Sequence, residues 1–206
     1  MIKPEVFIRE FSPDKIKEVI EKLQEISNHY PADQVVVLNI DTYGGEIYGL
    51  AAIYEFLQSY PHPIVTYTTS KAMSAGAVLL SSGDTGARFA TPNATIMIHE
   101  LSAGNIGDIK DLEDSHKFLK SENERWMGIL ARNMGFKNAK ELRKLIKDNC
   151  EGHDFYLTAE QAKKFGIIDE ICYLHISPMS MWNIIKEKRN RKELINANYA
   201  MVKGKK

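Results

Sequence analysis

The spacing of hydrophobic positions changes several times along the chain, and each change marks an element. Val6 to Ile8 is a short β-rich run. Ser12 and Pro13 then supply an N-cap and a first helical residue, and Ile16, Val19, Ile20, Leu23 and Ile26 follow on one face at helical spacing, which predicts an amphipathic helix. Val35 to Ile40, reading VVVLNI between Asp33 and Asp41, suits a strand covered on both faces, and the pair Gly44-Gly45 follows it. Helical spacing resumes from Glu46 to Gln58, with Tyr48, Ala51, Ala52 and Phe56 on one side, until Pro61 and Pro63 end it. Ile64 to Thr68 reads as a strand.

The second half continues the alternation. Ser74 to Ser82 is small and apolar, the start of a short helix, and the turn signal Gly83-Asp84-Thr85-Gly86 leads to β-rich runs around Phe89 and from Thr95 to Ile98. Ile109 to Met134 predicts a long helix whose heavily charged middle should project from the core or meet another chain. A helix from Asn138 ends near Asp148. Thr158 and Gln161 form a capping box for a short helix before Gly166, and Ile167 to Ile171 reads as a last short strand. Met181 to Ile185 has the pattern of a helix start. Strands alternating with helices predict an α/β fold with a largely parallel sheet. The organisation expected is one domain over 1–175 and an appended basic segment over 176–206.

Composition narrows the class. The chain has 206 residues, with 27 Lys plus Arg balancing 27 Asp plus Glu and 44% hydrophobic residues, which argues against a globally basic nucleic-acid binder or a disordered polyanion. The neutrality is a sum of opposites: residues 176–206 hold 8 basic and 2 acidic side chains, leaving 19 and 25 in residues 1–175. The most apolar stretch, Ala72 to Leu80, is far below the length of a membrane span. Two cysteines, an amino terminus without an apolar signal core and no zinc-type spacing point to a cytoplasmic protein without a metal or other cofactor.

Four places could carry chemistry. Ser74, in Ala72-Met73-Ser74-Ala75-Gly76, follows a strand and opens a helix, so it is either an N-cap or a nucleophile near backbone N–H groups. Gly44 and Gly45 make a turn, or let a second oxyanion donor come close. His99 ends a strand at its rim, as a structural residue or a general base, with His153 its rival. Asp148 sits at a helix end where the macrodipole disfavours an acid, as a solvated residue or as the group orienting a histidine. Serine, base and acid together have the logic that activates a hydroxyl nucleophile. Lys71 raises the further option of a Ser–Lys dyad.

From about Val6 to Ile171 these motifs resemble the proteolytic subunit of the Clp protease family: Asn39 to Gly45 (NIDTYGG), Ala72 to Gly76 (AMSAG), Met97 to Glu100 (MIHE), and Lys147-Asp148 followed by Tyr156 to Glu160 and Gly166 to Glu170. The resemblance implies a spiral of βαβ units, broadly shared with crotonase-type acyl-CoA enzymes, and a projecting handle helix over Ile109 to Met134. It implies an ATP-dependent serine endopeptidase with Ser74 as nucleophile, His99 as base and Asp148 as orienting acid, at spacings of 25 and 49 residues. Gly45 and Ala75 would donate to the oxyanion. Gly44, Leu101, Ser102 and Ala103 would line an extended polypeptide substrate. The implied partners are further copies in rings of about seven, two of them stacked, and an AAA+ unfoldase, with no role for nucleic acid or membrane. Asp41-Thr42-Tyr43 and Ser70-Lys71 depart from the family pattern, and few residues precede the first strand. A phage-type head or scaffold maturation protease and a catalytically silent ring subunit are the neighbouring readings.

Overall fold

The main sheet is built from the apolar runs, which bury both of their faces. Its strands are β1 (Glu5–Ile8), β2 (Val36–Ile40), β3 (Ile64–Thr68), β5 (Arg88–Ala90) and β8 (Glu170–Ile171), side by side in the order β1-β2-β3-β5-β8. Every pairing in it is parallel. All five residues of β2 and all five of β3 are buried, as expected of strands covered on both sides. A second sheet, ordered β4-β6-β7, joins β4 (Lys71–Met73), β6 (Thr95–Ile98) and β7 (Phe155–Thr158). In this computed structural model residues 2–104, 106–176 and 182–185 are described.

Helices cover the sheets. Helix α1 (Pro13–His29) buries Ile16, Val19, Leu23 and Ile26, the face its spacing predicts, and packs on β1 and on α2 (Ile47–Gln58). Helix α3 (Ala75–Leu80) is buried along its whole length, because its small residues let the neighbouring backbones approach. Helix α4 (Ile109–Asn133) opens with a reciprocal capping box between Asp108 and Asp111, and α5 (Ala139–Asn149) is capped by Asn138. Helix α6 (Ala159–Lys164) carries the expected Thr158–Gln161 box.

One buried cation ties several of these ends together. Arg88 pairs with Asp169 through two nitrogens, at 2.6 Å from Nη2 and 2.9 Å from Nε, while Nη1 donates to the carbonyls of Asn133 at 2.7 Å and Gly166 at 3.0 Å. Burial pushes the Asp169 carboxyl up, but the hydrogen bonds from the Arg88 side chain and backbone outweigh it, and its pKa falls below the ordinary carboxylate range.

Two expectations change. The run Ile167 to Ile171 is a strand only at Glu170–Ile171, because the N–H groups of Ile167 and Ile168 close the end of α6 on the Ala162 carbonyl after Gly166 at φ +81°. Strand β7 carries no prediction of its own. The chain divides into Met1–Ile171 and Cys172–Lys206. In the latter, β9 (Tyr173–Ile176) pairs antiparallel with β10 (Trp182–Ile185), so Trp182 to Ile185 form a strand and not a helix start; ladder bonds to β9 decide what periodicity left ambiguous. The rest of the basic segment, residues 177–181 and 186–206, lies outside the described residues.

Candidate active site

Parallel pairing brings the two reactive side chains together. Met73 of β4 lies opposite Met97 of β6, and the next N–H, that of Ser74, donates to the Met97 carbonyl at 2.8 Å. His99 follows β6 directly. Ser74 Oγ and His99 Nε2 are consequently 2.7 Å apart, so that with its proton on Nδ1 the imidazole accepts from the serine hydroxyl. Ser74 has φ 54° and ψ −119°, the positive-φ conformation of a non-glycine residue among those described, at a cost of roughly 1–3 kcal/mol. The strained turn between β4 and α3 directs Oγ to the histidine.

The loop after β2 is fitted against this turn. Thr42 forms a parallel bridge with Ala72: its N–H donates to the Lys71 carbonyl and its carbonyl accepts from Met73, both at 3.1 Å. Its Oγ1 accepts the N–H of Gly44 at 3.0 Å. Gly44 and Gly45 stand at φ 111° and 147°, and a Cβ on Gly44 would lie 2.8 Å from that of Ser74. Only glycine allows this approach. The loop thus lies against Ser74, the residue that precedes α3. Next to them opens an apolar cavity of about 60 Å³, bounded by Ser74 and His99 and lined by Ile47, Leu50, Val78 and Trp126 among others.

The segment after His99 is braced by helices α4 and α5. Glu100 accepts from Arg143 Nε at 2.7 Å and from the amide of Asn123, while Arg143 also meets Glu124 at 2.8 Å. Burial raises the pKa of the Glu100 carboxyl, the bonds from Arg143 and Asn123 lower it by more, and it ends below normal. Asn123 Oδ1 accepts the Leu101 N–H at 2.9 Å. Ser102 and Ala103 are exposed with no regular structure.

The acids fall in unequal places. Asp148 lies exposed in the last turn of α5, and no hydrogen bond or ion pair links it to His99. The antiparallel pairing of β6 with β7 ends on Ile98 opposite Phe155, and His99 and Asp154 are the residues just beyond that last pair. The pairs Ile98–Phe155 and Ile96–Leu157 are buried. Asp154 is exposed and likewise makes no hydrogen bond to His99. His153 is exposed, and Ser74 bonds His99 instead. Among the described residues no cluster of three or more His, Cys, Asp or Glu is arranged to hold a metal ion, and no helix is long and apolar enough to cross a membrane.

The family described as Clp protease matches residues 4–174. The chain belongs to the Clp protease family. It is 33% identical over 153 residues to the ATP-dependent Clp protease proteolytic subunit of Deinococcus radiodurans, a stretch covering 74% of this chain and 72% of that protein. The mixed α/β fold with its parallel sheet agrees with Clp protease membership, and the family is one of peptidases.

The departures from the Clp protease pattern turn out to touch one another. Lys71 Nζ lies 2.8 Å from Asp41 Oδ1 and 4.6 Å from the centre of the Tyr43 ring. The hydrogen bond to Asp41 raises the pKa of the amine, the reverse of what a Ser–Lys dyad needs. Asp154, Asn123 and Arg143 were not among the expected site residues. Asp154 was legible in principle from its place before the Phe155 to Thr158 run, read as a strand pairing with the one that ends at His99.

Proposed function

We propose that the chain is a serine endopeptidase acting on unfolded or flexible polypeptides through an acyl-enzyme. The observation that carries this reading is the 2.7 Å contact of Ser74 Oγ with His99 Nε2, made from a strained turn packed against Gly44. In this mechanism His99 takes the hydroxyl proton as Ser74 attacks the peptide carbonyl. The N–H groups of Gly45 and Ala75 receive the oxyanion, and His99 then returns the proton to the leaving amine. Water, deprotonated by the same imidazole, releases the acyl group. The apolar cavity beside Ser74 supports an apolar side chain on the acyl side of the cleaved bond. The substrate lies extended along Leu101, Ser102 and Ala103; since the Leu101 N–H already serves Asn123, main-chain pairing starts beyond it.

For the orienting acid the register favours Asp154 over Asp148, because Asp154 directly precedes Phe155, whose partner Ile98 directly precedes His99. Apolar side chains on the first half of α4, with Ile109 79% and Phe118 46% exposed, support association of copies through that helix. Stacked rings of about seven, an AAA+ unfoldase partner and a cytoplasmic location go with this reading. An intact Ser–His pair speaks against a silent ring subunit and gives the serine a purpose that crotonase-type chemistry lacks.

The test is labelling by a fluorophosphonate. Wild-type chain should label and Ser74→Ala should not, with oligomer size unchanged. Labelling that persists in Ser74→Ala would overturn the assignment.

A further inference from the structure

The Gly44-Gly45 loop poses a mechanical problem. Two successive glycines at positive φ have more conformational freedom than any other dipeptide, yet in the proposed mechanism the Gly45 N–H must stay aimed at one point beside Ser74. The bridge between Thr42 and Ala72 ties residue 42 to β4, the Asp41 N–H is held by the Ile8 carbonyl and the Gly44 N–H by Thr42 Oγ1. What joins the side chains on either side of Thr42 to β4 is a single residue. Lys71 leaves β4 next to that bridge, its ammonium meets the carboxylate of Asp41 at 2.8 Å, and it lies 4.6 Å from the centre of the Tyr43 ring, which is otherwise largely in solvent with Tyr43 75% exposed. One cation therefore grips the loop on both sides of Thr42, immediately before the glycines, and does so from the strand that runs into Ser74 three residues later.

We propose that Lys71 is a positioning residue for peptide hydrolysis: clamped between Asp41 and Tyr43, it locks the glycine loop to the nucleophile strand and so sets the spacing between Ser74 and the oxyanion donor of Gly45. The proposal rests on the serine peptidase reading. Lys71 touches no reacting atom, so its removal should leave substrate binding alone and loosen only the transition state. A misplacement of 1 Å costs up to about a hundredfold in rate. Because the Thr42 bridge remains, a loss of about tenfold is expected.

The experiment compares wild type, Lys71→Met, Lys71→Arg and Asp41→Asn in steady-state hydrolysis of a fluorogenic peptide and in the rate of fluorophosphonate labelling. Oligomer size and circular dichroism are measured on each. Lys71→Met and Asp41→Asn should each lower kcat and the labelling rate by about tenfold, with KM within about twofold of wild type. Lys71→Arg should recover most of the rate, since a guanidinium reaches the same carboxylate and stacks on the same ring. Asp41→Asn keeps the shape of the loop and answers the question if Lys71→Met fails to fold. Wild-type rates in Asp41→Asn or in folded Lys71→Met overturn the clamp, as does a loss that Lys71→Arg does not repair. In those cases wild type still labels and the peptidase reading stands. A wild-type chain that does not label at Ser74 overturns that reading and the clamp with it.

Discussion

The C-terminal end of α5 and the entry to β7 each offer a carboxylate to His99, and they do so by different physics. Asp148 rides on a helix end, where unpaired carbonyls and the macrodipole make a negative charge unwelcome, and α5 bonds to the histidine segment through the long side chain of Arg143. Asp154 directly precedes a strand whose register sets Phe155 opposite Ile98, which brings it to the end of the ladder where His99 leaves β6. Distance along the chain says little about either. Register converts sequence into position, whereas a helix end held by flexible ion pairs leaves position open. The same rule explains why the Ser74–His99 contact is already closed in a single chain: two parallel strands ending side by side place both residues.

Three substitutions would break or sharpen this contrast. The largest effect is expected of His99→Gln, which removes the base and should lower kcat by about 10⁵-fold or more, read with a fluorogenic peptide. Asp154→Asn should cost about 10⁴-fold in kcat with little change in KM, the size of effect seen when an orienting carboxylate becomes an amide. Asp148→Asn should change kcat less than about twofold. A crippled Asp148→Asn beside an active Asp154→Asn would invert the comparison and return the acid to the helix end.

Between these in kind, although not in the assay that reads it, stands Asp169, a carboxylate engaged with the fold. Its folded pKa is depressed, so its contribution is complete above the unfolded value near 4 and is lost as pH falls through the folded one. Thermal melts should show wild type losing stability below about pH 4, and Asp169→Asn should be less stable by about 2 kcal/mol near neutral pH, with a flatter acid limb. Equal melting of the two proteins at pH 7 would refute a structural role for the Arg88–Asp169 pair.

Much of this was legible before any coordinates. The face of α1, the buried strand Val36–Ile40 and the length of α4 follow from periodicity, because each element buries a side that its residues announce. Ser74, His99 and the glycine pair follow from residue types that few backbones require. Asp154 was hidden because its meaning is a pairing, and β7 alternates over only four residues. Ile167 and Ile168 look like the start of a strand since they are fully apolar, but their burial serves the closing turn of α6. The Lys71 clamp depends on three side chains that propensity does not connect.

Helix α4 is continuous in hydrogen bonding and divided in everything else. Each of its buried residues, Glu122, Trp126, Met127, Ile129, Leu130 and Ala131, belongs to the second half, where Asn133 also meets Arg88. In native-state hydrogen exchange of the unassembled chain the amides from Met127 to Asn133 should open only with the whole domain, while those up to Lys120 should exchange nearly as in an isolated peptide. Slow exchange across that first half would then report what covers it, and how long it stays.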